Sequence, residues 1–522
     1  MRRPARSTVT AIVAAATAFV IIAGLVGTTG LARRTHPEAV ASATPQATTQ
    51  ATVGDVPIPP PVQQIRNVVL VLADDLDWNL WNEVPRLKEL QARGTTFTNY
   101  VVSDSLCCPS RTTLFRSQYV HNHQVVSNDL VTGGGWPTFR DRGYPQDCLP
   151  TWLASAGVTT GLVGKYLNEF PQTPAEATTV QPGWSRFVVP VSRAASYTGY
   201  DYQLADNGVI TSYGSAPRDF LNDVLDTKAG QFIATAPDHF FLELATFTPH
   251  NPSPVAPRNI GTHLGAQAPR DPTYNTAVDN PPSWLVGLPP IRPKEAKRLD
   301  EFWQQRAESA ESVADSVDSI MATLARTGHD QDTMVIVTSD NGFHVGSYRL
   351  HRGKRTAFDV DTVVPLVVIG PGIQAGRVVP QMTSETDMAP TISEVMGATA
   401  PDWVDGRSLW PLIDRSRTYG ESTTWRTAVL SESLGTVVFG DPDFQLVAPP
   451  TYEAMRTREW LYVESETGER ELYNRVTDPY ELHNVIATAP KEIVDALHEQ
   501  FTALISCAGA SCRVADTREL PQ

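Results

Sequence analysis

Positive charge is in short supply in this chain: 42 lysines and arginines stand against 57 aspartates and glutamates, a net charge of −15. That balance excludes a nucleic-acid binder, which needs a basic face. It also disfavours a strongly polyanionic polymer held by charge alone, while leaving room for a local basic pocket that grips one anion. Cysteine is scarce as well, five in 522 residues, and no soft-ligand cluster points to zinc. No internal repeat is visible.

The N-terminus has the composition of an export signal. Arg2, Arg3 and Arg6 precede an uncharged, largely apolar run from Val9 to Val26, and Ala41-Ser42-Ala43 offers a small-residue cleavage site. The run lies near the lower limit of a spanning helix, so residues 1–43 read as a signal peptide or an N-terminal membrane anchor. The chain is thus expected to be secreted or extracytoplasmic, with a membrane tether as the alternative. Residues 44–64, rich in Thr, Ala, Gln and Pro, read as a flexible linker.

Over the whole chain, 41% hydrophobic residues suffice for a large core. Continuous apolar runs at 67–73 (NVVLVLA), 158–163, 239–245, 333–338 and 363–369 have strand length and no alternation, as in strands covered on both faces. Between them lie helical patterns at 85–93, 151–156 and, longest, 294–327, where Leu299, Phe302, Trp303, Ala310, Val313, Val317, Ile320 and Leu324 recur in steps that stop at Gly328. The alternation predicts an α/β fold, a mostly parallel sheet flanked by helices. Segments 171–235 and 251–293 are rich in Pro, Gly and polar residues and are expected to be irregular insertions near the site mouth.

From about Arg426 the pattern changes. Residues 460–464 and 470–474 read as a hairpin around Thr467-Gly468, and a helix is expected over 490–505. The expected layout is a catalytic domain over 65–425 and a smaller α+β subdomain over 426–522. Cys507 and Cys512 bracket four small residues and look like a local disulfide loop.

Chemistry gathers at two strand ends and one turn. The run 67–73 leads directly into Asp74-Asp75, and 333–339 (TMVIVTS) into Asp340-Asn341-Gly342. Ligands of open α/β sheets bind at the carboxyl ends of strands, so these oxygen donors would converge. Their chemistry suits a hard divalent cation, although either pair alone reads as readily as a turn or cap. In Cys107-Cys108-Pro109-Ser110-Arg111 a proline suited to a first helical turn follows the cysteines. Arg111 falls one turn from Cys107 on the same face. A cysteine at a helix N-terminus beside a fixed cation is poised for reactivity.

This pentapeptide resembles the Cys-x-Pro-Ser-Arg of the type I sulfatases. The wider run 105–111, with Tyr119-Val120-His121-Asn122-His123, is similar to the N-acetylglucosamine-6-sulfatase branch. Gly164-Lys165-Tyr166-Leu167-Asn168, Thr248-Pro249-His250-Asn251-Pro252, Gly353-Lys354-Arg355 and the 478–484 segment (DPYELHN) extend the resemblance over roughly 65–485. Two segments depart from the family. Leu167 replaces a histidine of the wider family, and Phe115-Arg116-Ser117-Gln118 stands where Leu-Thr-Gly-Lys or Leu-Thr-Gly-Arg is usual.

The resemblance implies an alkaline-phosphatase-like fold and conversion of Cys107 to formylglycine by a formylglycine-generating enzyme. It implies one calcium ion held by Asp74, Asp75, Cys107, Asp340 and Asn341. Arg111, Lys165 and Lys354 would hold the sulfate, and His250 would protonate the departing alcohol. With Cys107 removed from the count, Cys108 and Cys148 either pair or stay free. The implied substrate is a sulfated carbohydrate, N-acetylglucosamine 6-sulfate the best single guess. Alternatives are a phosphomono- or phosphodiesterase of the alkaline phosphatase superfamily, and a glycan-binding pseudo-sulfatase with Cys107 unmodified. His121, His123, His344 and His351 suggest a sugar-lined pocket, with packing or solvation as the competing explanation of each.

Overall fold

In the run Asn67–Asp74 (β1) every residue is buried, and alternate side chains feed two different cores. Val68, Leu70 and Leu72 pack on one face of the sheet, Val69, Val71 and Ala73 on the other. That is the two-residue period of a strand covered on both sides. The computed structural model describes residues 65–414 and 425–519. The expected signal or anchor and the linker, 1–43 and 44–64, lie outside the described residues.

Nine further strands join β1: Thr95–Phe97 (β2), Thr159–Gly164 (β3), Arg186–Pro190 (β4), Gln203–Asp206 (β5), Val209–Ser212 (β6), Phe240–Pro249 (β7), Thr333–Ser339 (β8), Leu366–Ile369 (β9) and Arg377–Val379 (β10). The sheet order is β10-β2-β9-β8-β1-β7-β3-β4-β5-β6. The central run β8-β1-β7-β3-β4 is parallel throughout. Helix Cys107–Arg116 (α1) contributes Cys108, Leu114 and Phe115 to one core, whereas Leu221–Thr235 (α2) and Pro293–Thr327 (α3) cover the opposite face through Leu225, Phe232, Trp303 and Ile320. Gly328, at φ 82°, ends α3 where the sequence places its stop.

Two expectations need correction. The run 363–369 forms a strand only from Leu366, and that strand is antiparallel to both of its neighbours. Periodicity reports burial, not direction, so the sequence carries no sign of this. Segment 171–235 is not irregular: β4, β5 and β6 continue the sheet to its edge and α2 follows. All four residues of β6 are exposed, Val209 and Ile210 included. Segment 251–293 is irregular as expected, with one short 3-10 turn at Ser283–Leu285.

A second, four-stranded antiparallel sheet runs Ala428–Ser433, Tyr452–Thr457, Trp460–Ser465 and Arg470–Asn474 in that order. Helix Lys491–Ile505 (α4) packs on it through Leu497, Phe501 and Leu504 against Leu430, Met455 and Tyr462. Cys507 and Cys512 form a disulfide; Cys108 and Cys148 are buried free thiols. Among the described residues no helix is long and apolar enough to cross a membrane.

Candidate active site

The four adjacent parallel strands β8, β1, β7 and β3 each end in a polar residue at the same edge of the sheet. These are Asp340 and Asn341 after β8, Asp74 and Asp75 at the end of β1, His250 after β7 and Lys165 after β3. Gly164 allows the last of these. At φ 119° it brings its backbone against β7, where a Cβ would lie 1.9 Å from the Ala245 carbonyl oxygen. Lys165 N–H then donates to that same carbonyl. Helix α1 begins at this edge with Cys107, and Lys354 follows the short strand Arg352–Gly353.

These side chains meet. Cys107 Sγ lies 3.5 Å from Asp74 Oδ1 and 3.0 Å from Lys354 Nζ. Lys165 Nζ donates to Asp74 Oδ2 at 2.7 Å and Lys354 Nζ to Asp75 Oδ1 at 2.6 Å. Arg111 Nε donates to Asp340 Oδ2 at 2.8 Å and its Nη1 to the Lys165 carbonyl at 3.1 Å. Asp75 N–H donates to Asp340 Oδ1, and Asn341 Nδ2 to Asp75 Oδ1 at 2.7 Å. His250 Nδ1 donates to the Asn251 carbonyl at 2.7 Å, while Nε2 faces Asp75 Oδ2 at 3.8 Å. All nine residues singled out in the sequence are buried in one cluster.

Burial at this edge acts against every charge, and the neighbours decide the outcome. For Asp74, burial dominates and raises its carboxyl, although Lys165 pulls the other way. Asp340 is equally buried, but Arg111, Lys165 and Lys354 together bring it down to about 2. Burial would lower His250; Asp75, Asp74 and Asp443 outweigh it and lift the imidazole to about 10. Lys165 and Lys354 are held above the usual lysine range by Asp74 and by the Asp443–Asp75 pair, against the cost of burial. Burial pushes the unmodified Cys107 thiol well up, so as a plain thiol it is a poor nucleophile.

The donor set fits a hard cation. Ligand atoms of Asp74, Asp75, Cys107 and His250 lie within 4.8 Å of one another. Asp75 Oδ2 and Asn341 Oδ1 are buried oxygens with no hydrogen-bond partner, the kind of orphan that an ion satisfies. Asp340 already spends one oxygen on Arg111 and the other on the Asp75 amide.

A cavity of about 510 Å³ opens onto this cluster, lined by Lys165, Leu167, Asn168, Tyr197, Phe247 and His250 together with the loops 128–129 and 438–443. None of His121, His123, His344 and His351 lines it. His121 bonds Glu432, His123 sits against Thr113 and His344 against Asp361, so for these three packing is the explanation. Segment 251–293 does not reach the cavity either, whereas Val189, Pro190, Ser196 and Tyr197 from 171–235 do.

Sequence reasoning missed Asp443. Its Oδ1 lies 3.0 Å from Lys354 Nζ and 3.2 Å from His250 Nε2, and its Oδ2 accepts from Asn128 Nδ2 at 2.9 Å. Asp441-Pro442-Asp443 stands in an aperiodic loop, and an acidic residue beside proline reads as an ordinary turn. Arg306 was missed too; buried in α3, it donates to the Asp75 carbonyl at 2.6 Å and to Asp77 at 3.2 Å.

Comparison with known proteins agrees with this geometry. The family model "Sulfatase" matches residues 66–398, and the model "N-sulphoglucosamine sulphohydrolase, C-terminal" matches residues 346–506. The N-acetylglucosamine-6-sulfatase of Homo sapiens is 31% identical over 481 residues, covering 86% of each chain. That of Capra hircus is 31% identical over 86% of this chain and 84% of its own. A solved protein in complex with its substrate D-glucosamine-2-N,6-O-disulfate has the same fold, with TM-score 0.70 at 16% identity over 87% of this chain and 99% of its own. So does the phosphonate monoester hydrolase from Silicibacter pomeroyi, with TM-score 0.63 at 21% identity over 84% and 94%. With a matching family model over most of its length, and a Cys-x-Pro-Ser-Arg turn set among acidic strand ends, the chain belongs to the sulfatase family, hydrolases of sulfate esters.

Proposed function

We propose that this is an exported sulfatase that cleaves a sulfate monoester from a sugar, N-acetylglucosamine 6-sulfate being the substrate its named relatives favour. It would act after conversion of Cys107 to formylglycine by a maturation enzyme and with one calcium ion bound. The observation that carries this reading is the position of Cys107. Its sulfur lies between Asp74 and Lys354 and 3.7 Å from Asp443, which lines the cavity, within a sequence that the family's modification requires.

Formylglycine at position 107 would supply a hydrated aldehyde as the nucleophile, and calcium, which Asp74, Asp75, Asp340, Asn341 and residue 107 would hold, would supply compensating charge. The protein's own side chains do the rest. Arg111 is fixed by Asp340 and keeps a buried, unpartnered Nη2 to offer a sulfate oxygen. Lys165 and Lys354 flank residue 107 and offset charge on the equatorial oxygens. His250 holds Nδ1 on the Asn251 carbonyl and Nε2 on Asp443 Oδ1 at 3.2 Å, and the carboxylates around it raise its pKa to about 10, so it would pass a proton from Nε2 to the leaving oxygen in exchange for the Asp443 contact. Leu167 removes the histidine that the wider family holds nearby, which leaves His250 as the one imidazole in the cavity wall among the described residues.

The test is peptide mass spectrometry across Cys107 in natively produced protein, with side-by-side turnover of an aryl sulfate and an aryl phosphate. Aldehyde at position 107 and preference for the sulfate are expected. An intact thiol with no turnover would favour the glycan-binding alternative, and preference for phosphate the phosphoesterase one.

A further inference from the structure

Tyr197 stands in the cavity wall with no part in the chemistry assigned so far. It lies near the end of the short helix Arg193–Thr198, which Gly199 closes at φ 79°, and lines the cavity beside Lys165 and His250. Its ring centroid is 4.7 Å from that of the His250 imidazole, with the two planes tilted by 44°. Phe247, on the same strand end as His250, meets the tyrosine ring edge-on at 5.2 Å and 88°. Lys165 Nζ lies 5.6 Å from the ring centroid. One aromatic ring therefore packs against both basic side chains that line the cavity.

The imidazole is held from several sides. Nδ1 is tied to the Asn251 carbonyl at 2.7 Å, Nε2 faces Asp443 Oδ1 at 3.2 Å and Asp75 Oδ2 at 3.8 Å, and the ring rests on Tyr197. Proton transfer gives up one of these holds. As the S–O bond of the ester breaks, the departing oxygen keeps the bonding pair and takes the Nε2 proton, so Nε2 must turn from Asp443 to that oxygen. A hydrogen bond at Nδ1 fixes a point of the ring but not its plane. An aromatic face in contact fixes the plane, and its quadrupole attracts a positively charged ring. We infer that Tyr197 positions His250 for proton transfer to the leaving alcohol, its ring holding the imidazole plane while Nε2 exchanges Asp443 for the ester oxygen. Tyr197 acts here through His250 and is a positioning residue. The inference deepens the proposed function and rests on it for His250 as the proton donor.

The experiment measures kcat and KM of the full-length protein and of its Tyr197→Leu, Tyr197→Phe and His250→Gln variants with two esters. N-acetylglucosamine 6-sulfate releases an alkoxide that needs a proton, whereas 4-nitrophenyl sulfate releases a stable phenolate that does not. Tyr197→Leu is expected to lower kcat about thirtyfold on the sugar sulfate and no more than about threefold on the aryl sulfate, with KM little changed. Tyr197→Phe, which keeps the ring, should restore kcat on the sugar sulfate to within about threefold of wild type. Equal loss on the two esters, the result of a packing or folding role, overturns the inference. So does a raised KM at unchanged kcat, which would make Tyr197 a sugar contact, or a Tyr197→Phe variant as impaired as Tyr197→Leu. His250→Gln separates this inference from the reading beneath it. Its loss should fall on the sugar sulfate, by about a hundredfold or more. If that loss is not selective, His250 is not the proton donor and both readings fall; if it is selective and Tyr197→Leu keeps the wild-type ratio, only the present inference fails. Should wild type leave the sugar sulfate intact, that result counts against the proposed substrate, and phenyl sulfate, with its more basic leaving oxygen, takes its place in the ratio.

Discussion

Asp443 and Lys354 form an ion pair at 3.0 Å with both side chains sealed from solvent. The same carboxylate reaches His250, and Lys354 also holds Asp75, so Asp443 ties the C-terminal loop to three groups of the catalytic cluster. Removing one partner of a buried pair leaves an uncompensated charge, which typically costs about 3 kcal/mol; the remaining Asp75 contact should keep this case near 2 kcal/mol. Asp443→Ala is expected to lower kcat/KM by about ten- to a hundredfold and to shift the urea midpoint accordingly. Asp443→Asn should recover most of the stability and little of the rate. Wild-type turnover in both variants would show that the pair only packs the loop.

Arg111→Lys tests geometry at constant charge. The guanidinium donates to Asp340 through Nε and to the Lys165 carbonyl through Nη1, and its Nη2 is buried with no hydrogen-bond partner. A lysine ammonium cannot span those acceptors from one planar fork. The expected result is a loss of about 10²- to 10³-fold in kcat/KM with sulfate esters. Near-wild-type kinetics would mean that only the positive charge matters.

Much of this was legible in the sequence, for a common reason. Asp74, Asp75, Asp340, Asn341, Lys165 and His250 all follow apolar strand runs, so finding the strands finds their carboxyl ends. The helix start at Cys107 and the long helix ending at Gly328 were equally readable, because proline and glycine mark them locally. What stayed hidden depends on tertiary packing. The antiparallel course of Leu366–Ile369 leaves no trace in its side chains. The strand at 209–212 is fully exposed at the sheet edge, and the one at 203–206 buries only Leu204 and Ala205, too short a run to stand out as a strand. Asp443 is functional in appearance only because a loop more than 300 residues from Cys107 folds back onto it.

The departure at 115–118 has a structural meaning. Ser117 ends α1 in the left-handed conformation, φ 55°, at the position where the family usually has glycine. That conformation costs a non-glycine residue about 1 kcal/mol. Its hydroxyl donates to the Thr386 carbonyl at 2.5 Å, which offsets about the same amount. Ser117→Gly should therefore leave stability within about 0.5 kcal/mol of wild type, whereas Ser117→Ala, which keeps the strain and loses the bond, should cost about 1 kcal/mol. Thermal melts check the order, and an alanine variant more stable than the glycine one would refute it.

His121, which does not line the cavity, is expected to make stability depend on pH. Its Nδ1 donates to Glu432 Oε1 at 2.8 Å and its Nε2 to the Cys507 carbonyl at 2.9 Å, so the ring is doubly protonated where it sits. Burial alone would lower its pKa, but the bond and charge of Glu432 win and raise it from 6.5 to about 9. A raised folded-state value means that the charged form favours folding. The contribution is fully present below pH 6.5 and is lost progressively as pH rises through 9. A shift of this size corresponds to at most roughly 3 kcal/mol. The difference in urea unfolding free energy between wild type and His121→Gln should accordingly be large at pH 6 and shrink by most of that amount at pH 9.5. Parallel pH profiles for the two proteins would show that the ring is neutral in the fold and that Glu432 does not charge it.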